Sequence, residues 1–262
     1  MATAALDGPD RRVSIGRIFS RGFGTIAAHP FATLGVALVF GALPGLIVQA
    51  ALQQALGSGS FSIASLGWFA GIDADMALAA VMEGALALTV VAHGEGRRAD
   101  IVDTLPPALH RLGPLILLGL IVGYGSALGL VLLILPGLAL YIAWWVAAPA
   151  LVIERLGLGD ALNRSRELTR GARWKVFGVE LILLIATWIV GAAFLAGDFR
   201  LTGSFQLGAL PTDARSLIVL FVTVVTSTIS SVVYGVMHIS CYIELREWKD
   251  GPAADALVEV FR

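Results

Sequence analysis

Six apolar runs alternate with short polar stretches along the chain, at about 31–54, 74–93, 113–135, 137–154, 174–197 and 216–244. Crossing a bilayer takes about 20 helical residues at roughly 1.5 Å each, and the runs match that length. An all-α, polytopic membrane protein with six transmembrane helices is the predicted fold, with residues 1–262 forming one membrane domain. Read as one helix, 113–154 would be about twice the bilayer thickness. The Pro136-Gly137 pair therefore predicts a tight turn between spans three and four.

The polar stretches before spans one, three and five have a helical period of their own. At 14–29, Ile15, Ile18, Phe19, Phe23 and Ile26 share a face, Ser14 can cap the start and Pro30 ends the run. At 100–112, Ile101, Leu105, Ala108, Leu109 and Leu112 recur at helical spacing, bent by Pro106-Pro107. At 158–171, Ala161, Leu162, Ser165 and Leu168 face one way. Asn163, Arg164, Arg166, Glu167 and Arg170 face the other, and Gly171 is a C-terminal stop. Ile15 to Phe31, Ile101 to Leu117 and Ala161 to Phe177 each span sixteen residues. One unit repeated three times, an amphipathic interfacial helix followed by a transmembrane hairpin, fits that spacing. Ordinary basic connecting loops fit it too.

Charge fixes the expected orientation. Sixteen of the eighteen Lys and Arg residues fall on one side of the six runs, against Arg200 and Arg215 on the other. The positive-inside rule then predicts both termini in the cytoplasm. Arg17, Arg21, Arg164, Arg166, Arg170, Arg173 and Lys175 are the candidate membrane-surface residues, suited to anionic headgroups.

Composition narrows the class further. Only 14% of residues are charged, against about 25% in a soluble domain, and mean hydropathy is +0.84. The polar N-terminus is not a secretory signal peptide. A net charge of −1 provides no global field for nucleic acid, and Cys241 alone cannot form an intrachain disulfide. The chain contains no phosphate-binding loop, dinucleotide fingerprint, zinc-protease or nucleophile-elbow motif. His238 and Cys241 lie three apart on one face, but no third metal ligand is nearby in the sequence. No enzyme activity, cofactor or metal is expected.

Ionisable groups inside a span are costly and mark functional candidates. Glu180 lies six residues in from Trp174, and His238 six in from Glu244, so the two share a depth of roughly 9 Å in antiparallel spans. Glu83, Tyr124 and Tyr234 sit about ten residues in, near the bilayer middle. Thr223, Ser227, Ser230, Tyr234, His238 and Cys241 form a polar stripe on span six. Two readings stand: a seam that holds helices together, and a proton or cation site with His238 as relay. Gly41-x-x-x-Gly45, Gly119-x-x-x-Gly123 and Gly125-x-x-x-Gly129 predict close helix approach.

Trp144, the run "APALVIE", the stretch "ALNRSRELTRGARWKVFG" and the tail "YIELREWKDG" together resemble a bacterial pattern. It is that of the membrane domain attached to some glycerophosphodiester phosphodiesterases and of related six-span proteins. The resemblance covers about 50 residues of motif and implies a bacterial inner-membrane protein. Nothing here matches the catalytic domain, so its activity does not carry over. Members often have an Arg before the span-four Trp, where this chain has Ala143, so an ion pair built on it is absent. The expected function is lipid-interacting or envelope-related, or that of an accessory subunit. The alternative is a small transporter or permease with a proton- or cation-binding site in the cytoplasmic half. Membrane lipids, anionic ones included, are the expected partners, with a homo-oligomer or larger membrane complex as the assembly.

Overall fold

The computed structural model describes residues 13–56, 61–94, 110–202 and 214–251, and among them every regular element is helical. Six stretches are long and apolar enough to cross a membrane: Pro30–Val48, Ala74–Val91, Leu112–Gly129, Ile134–Ile153, Arg173–Phe194 and Leu217–Asp250. They coincide with the six apolar runs, because a chain in lipid must satisfy its backbone hydrogen bonds within each span. The amphipathic stretch expected at 100–112 lies outside the described residues except for its last three positions.

Helix α1 (Ile15–Ala28) precedes the first span, which is built from α2 (Pro30–Ala37), a π-helical turn at Leu38–Ala42, and α3 (Leu43–Leu56). The wide turn has a local cause. Pro44 has no N–H for the carbonyl four residues back, and the Leu43 N–H reaches five residues back to Leu38. Helix α4 (Phe61–Gly94) carries the second span and α5 (Leu112–Leu132) the third. The fourth span is broken into α6 (Ile134–Trp144) and α7 (Ala147–Ile153). Helix α8 (Leu158–Thr169) follows, then α9 (Arg173–Thr202) and α10 (Ala214–Asp250).

The turn between spans three and four is at Leu133, which is extended (φ −157°, ψ 117°), three residues before the expected Pro136-Gly137. Pro136 instead occupies the first turn of α6, where its missing N–H leaves no bond unmade. Gly137 packs against Gly129 across the turn. The same logic breaks span four. Pro149 sits in the first turn of α7, so the helix cannot run unbroken through Trp145 and Val146. Ser165 of α8 bridges the break: its hydroxyl donates to the Ala143 carbonyl at 2.8 Å and accepts from the Val146 N–H at 3.3 Å.

Both described amphipathic helices dock on the bundle. The buried stripe of α1 is Ile18, Gly22 and Thr25, with Gly22 against Met237 and Ser240 of α10. Phe23, expected on that face, is 53% exposed. Ser14 makes no side-chain cap; its N–H donates to Glu244 at 3.0 Å. On α8 the expected Ala161, Ser165 and Leu168 are buried, together with Thr169, and Gly171 ends the helix at φ +92° beside Trp248. The glycine patterns serve contacts within the chain: Gly119 lies against the backbone at Ala77, and Gly125 against Trp144. Large apolar side chains remain exposed along α5, α9 and α10, among them Val131, Ile185, Trp188 and Phe221, as lipid-facing surfaces require.

Candidate functional site

Three helices each bring one ionisable side chain to one point. Glu83 comes from α4, Glu180 from α9 and His238 from α10. Oε1 of Glu83 lies 2.8 Å from Nδ1 of His238, off the direct line of its N–H, and Oε2 of Glu180 lies 3.8 Å from Nε2. The imidazole thus sits between two carboxylates, one toward each ring nitrogen. Glu83 and His238 are each only 7% exposed.

Tyr141 of α6 and Trp145, just past its end, are two groups that sequence reasoning missed. The Tyr141 hydroxyl donates to Oε1 of Glu180 at 3.1 Å, and the Trp145 indole N–H donates to Oε2 at 3.1 Å. Tyr141 and Trp145 are one turn apart and so share a face. Trp145 also packs against His238, with ring centroids 3.9 Å apart and planes tilted by 44°, and Tyr234, one turn before His238 on α10, lies 5.6 Å from it. Trp145 is the last residue before Val146 interrupts span four, so the Pro149 break and the site adjoin.

The expected Glu180–His238 pairing appears, and Glu83 and Tyr234 join it. Tyr124 does not. It is 54% exposed on α5 and lines no part of the site, although depth counting put it level with Glu83. Equal depth fixes a level in the membrane but leaves the direction around the helix open.

Beside the centre lies a cavity of about 310 Å³. Its lining runs from Glu83, His238, Tyr141, Trp145 and Tyr234 to Asp75, two turns from Glu83 on the same face of α4. Gly45 leaves room on the facing wall, while Gly41 of the π-helical turn packs closely against Met82 and Ser231. Asp75 stands at the start of the second span, and no pattern in the sequence marks this space.

A second set of charges gathers where α1, α8 and α10 meet. Glu244, 2% exposed, accepts from Arg17 Nε at 2.9 Å and Nη2 at 2.6 Å. This hydrogen bond raises the Arg17 pKa. Arg21 pairs with Glu247 at 2.8 Å. Arg164 bonds Glu154 at 2.9 Å and also pairs with Asp250, while the Tyr242 hydroxyl donates to Glu154 at 2.7 Å. Burial works against the Arg164 charge, but the bonds it donates to Asp250 and Glu154 outweigh it and raise its pKa. Arg111 donates to the Leu151 carbonyl at 2.8 Å, near the C-terminal end of α7. Lys175 donates to the Val13 carbonyl at 2.6 Å. Of the expected surface basic residues, then, Arg17, Arg21, Arg164 and Lys175 hold helices to one another. Arg166, Arg170 and Arg173 line an open groove with Glu167 and Gly171.

No family model, curated protein or solved structure matches the chain.

Proposed function

We propose that the chain is a small membrane carrier whose Glu83, His238 and Glu180 form a proton- or cation-binding site. The cavity carries this reading, because it puts open space against the buried Glu83 and His238, with Asp75 on the same wall. A seam that only held helices together would be packed shut. An imidazole between two carboxylates suits proton transfer, since it can take a proton at one ring nitrogen and release one from the other. In this reading the six spans run as three hairpins in a bacterial inner membrane with both termini cytoplasmic, on the strength of the basic-residue bias. The cavity then faces outward and the Arg-rich ends face the cytoplasm.

The lipid-interacting or accessory-subunit role has the groove at Arg166, Arg170 and Arg173 in its favour, as a place for anionic headgroups. It leaves the buried centre without a purpose, so the carrier reading ranks first. Kinship with the membrane domain of glycerophosphodiester phosphodiesterases remains a proposal that adds no activity.

Cysteine accessibility tests the approach. In a Cys241→Ser background, Ser231→Cys places a thiol on the cavity wall and Ile229→Cys places one on the exposed face of α10. A small impermeant thiol reagent applied outside intact cells is expected to modify position 231 and spare 229. Protection of 231 from the outside would remove the outward-facing cavity.

A further inference from the structure

The cavity beside the buried centre has an uneven chemistry. Its polar lining includes two carboxylates, Asp75 and Glu83, and two hydroxyls, Ser230 and Ser231, but among the described residues no Lys or Arg. His238 can carry one positive charge, and it already faces both Glu83 and Glu180. Asp75 has no ion-pair partner among the described residues. With Glu83 and Glu180 ionised, the centre keeps an excess of negative charge even with His238 protonated, and the exposed Asp75 adds another at the cavity's edge. A buried excess charge is costly without a counter-ion.

The remaining wall decides which counter-ion fits. Tyr141, Trp144, Trp145 and Tyr234 present aromatic surface to the same space, and the rest is mostly alanine, glycine, leucine and methionine. Hard metal cations need six or more oxygen ligands in a shell, which such a wall does not supply. An organic ammonium ion is weakly hydrated, carries apolar substituents and is attracted to ring faces. Trp144 already accepts a cation on its ring: the Arg166 guanidinium carbon lies 5.1 Å from the centroid. About 310 Å³ falls at the small end of ligand-pocket size and leaves no room for a whole diacyl lipid.

We propose that this cavity binds an organic ammonium cation, with its charge between Asp75 and Glu83 and its alkyl groups against Tyr141, Trp144, Trp145 and Tyr234. The proposal deepens the carrier reading by naming its substrate class. Asp75 attracts the cation at the mouth, and Glu83 receives it next to the imidazole. At Glu83 the ammonium competes with protonated His238 for one carboxylate. A site shared in this way allows cation and proton to exchange.

Binding to the purified full chain tests this. The probes are tetraethylammonium, 3,3-dimethylbutylammonium and the neutral alcohol 3,3-dimethyl-1-butanol, followed by calorimetry and tryptophan fluorescence. The expected result is saturable binding of both ammonium ions, with the alcohol weaker by about tenfold or more. Asp75→Asn is expected to weaken the ammonium ions by a similar factor while leaving the thermal midpoint unchanged, since Asp75 is exposed and unpaired. Equal affinity for the alcohol, no saturable binding, or an unaffected Asp75→Asn variant would overturn the proposal. The carrier reading fails separately. Proton movement that persists without ammonium binding sinks only this inference, and ammonium binding without proton movement supports it while sinking the relay.

Discussion

Gly119→Leu should abolish stable folding of the bundle. Even a single methyl group at position 119 would lie 2.5 Å from the Ala77 Cα and 2.6 Å from the Met76 carbonyl oxygen. Both obstacles are backbone, so no side chain can swing aside. Helices α4 and α5 would have to separate, and between them they bury Leu86, Leu115 and Leu118. Overpacking a fitted contact costs about 1–3 kcal/mol and more where nothing yields; leucine adds three further carbons to a space that rejects the first. Gly24→Ala is the contrast. Nothing lies within 4 Å of its added carbon, so helix propensity alone acts and the variant gains about 0.5–1 kcal/mol. Thermal unfolding in detergent, followed by circular dichroism, reads both. A Gly119→Leu midpoint equal to that of the native protein would mean that α4 and α5 do not meet at Gly119.

The second large effect is expected at His238. His238→Leu keeps the side-chain volume near its native value, so an empty cavity is not the cause of any loss. It removes the positive partner from between Glu83 and Glu180, which then lie buried near one another. Breaking a buried pair from one side costs about 3–5 kcal/mol, because a charge is left without compensation. Adding Glu83→Gln should recover a large part of that loss. Glu180 would keep its two donors, Tyr141 and Trp145. The double variant is thus expected to be more stable than His238→Leu alone, a non-additive result that thermal unfolding detects. Strictly additive losses would show that Glu83 and His238 are not coupled.

Span positions were legible because lipid imposes one strong rule on the chain, and the apolar runs obey it. The Glu180–His238 pairing was legible for a related reason: two antiparallel spans and two equal counts from their ends fix a common depth. Tyr124 shows the limit of that reasoning. Its depth is right, but rotation about α5 turns it away from the centre, and α5 is too uniformly apolar for periodicity to fix its facing. The basic residues show another limit. Arg17 and Arg164 mark a membrane side by composition alone, yet their acceptors, Glu244 and Glu154, lie 227 and 10 residues away in the chain. Only folding brings them together. Tyr141 and Trp145 were overlooked, and Ser165 was placed on its face without its bridging role, because the Pro149 break was read as part of a continuous span. The cavity had no sequence signal at all. It is the space left where Gly45 and the small residues of α4 fail to fill the wall.

Proton flux in proteoliposomes tests the central claim most directly. Purified protein is reconstituted with a pH-sensitive dye inside, and a membrane potential is imposed. The native chain is expected to carry protons above the leak of empty liposomes. Glu83→Gln and Glu180→Gln are expected to reduce flux to that leak while remaining folded. Native protein at the leak level, or a Glu83→Gln variant as fast as the native one, would contradict the account.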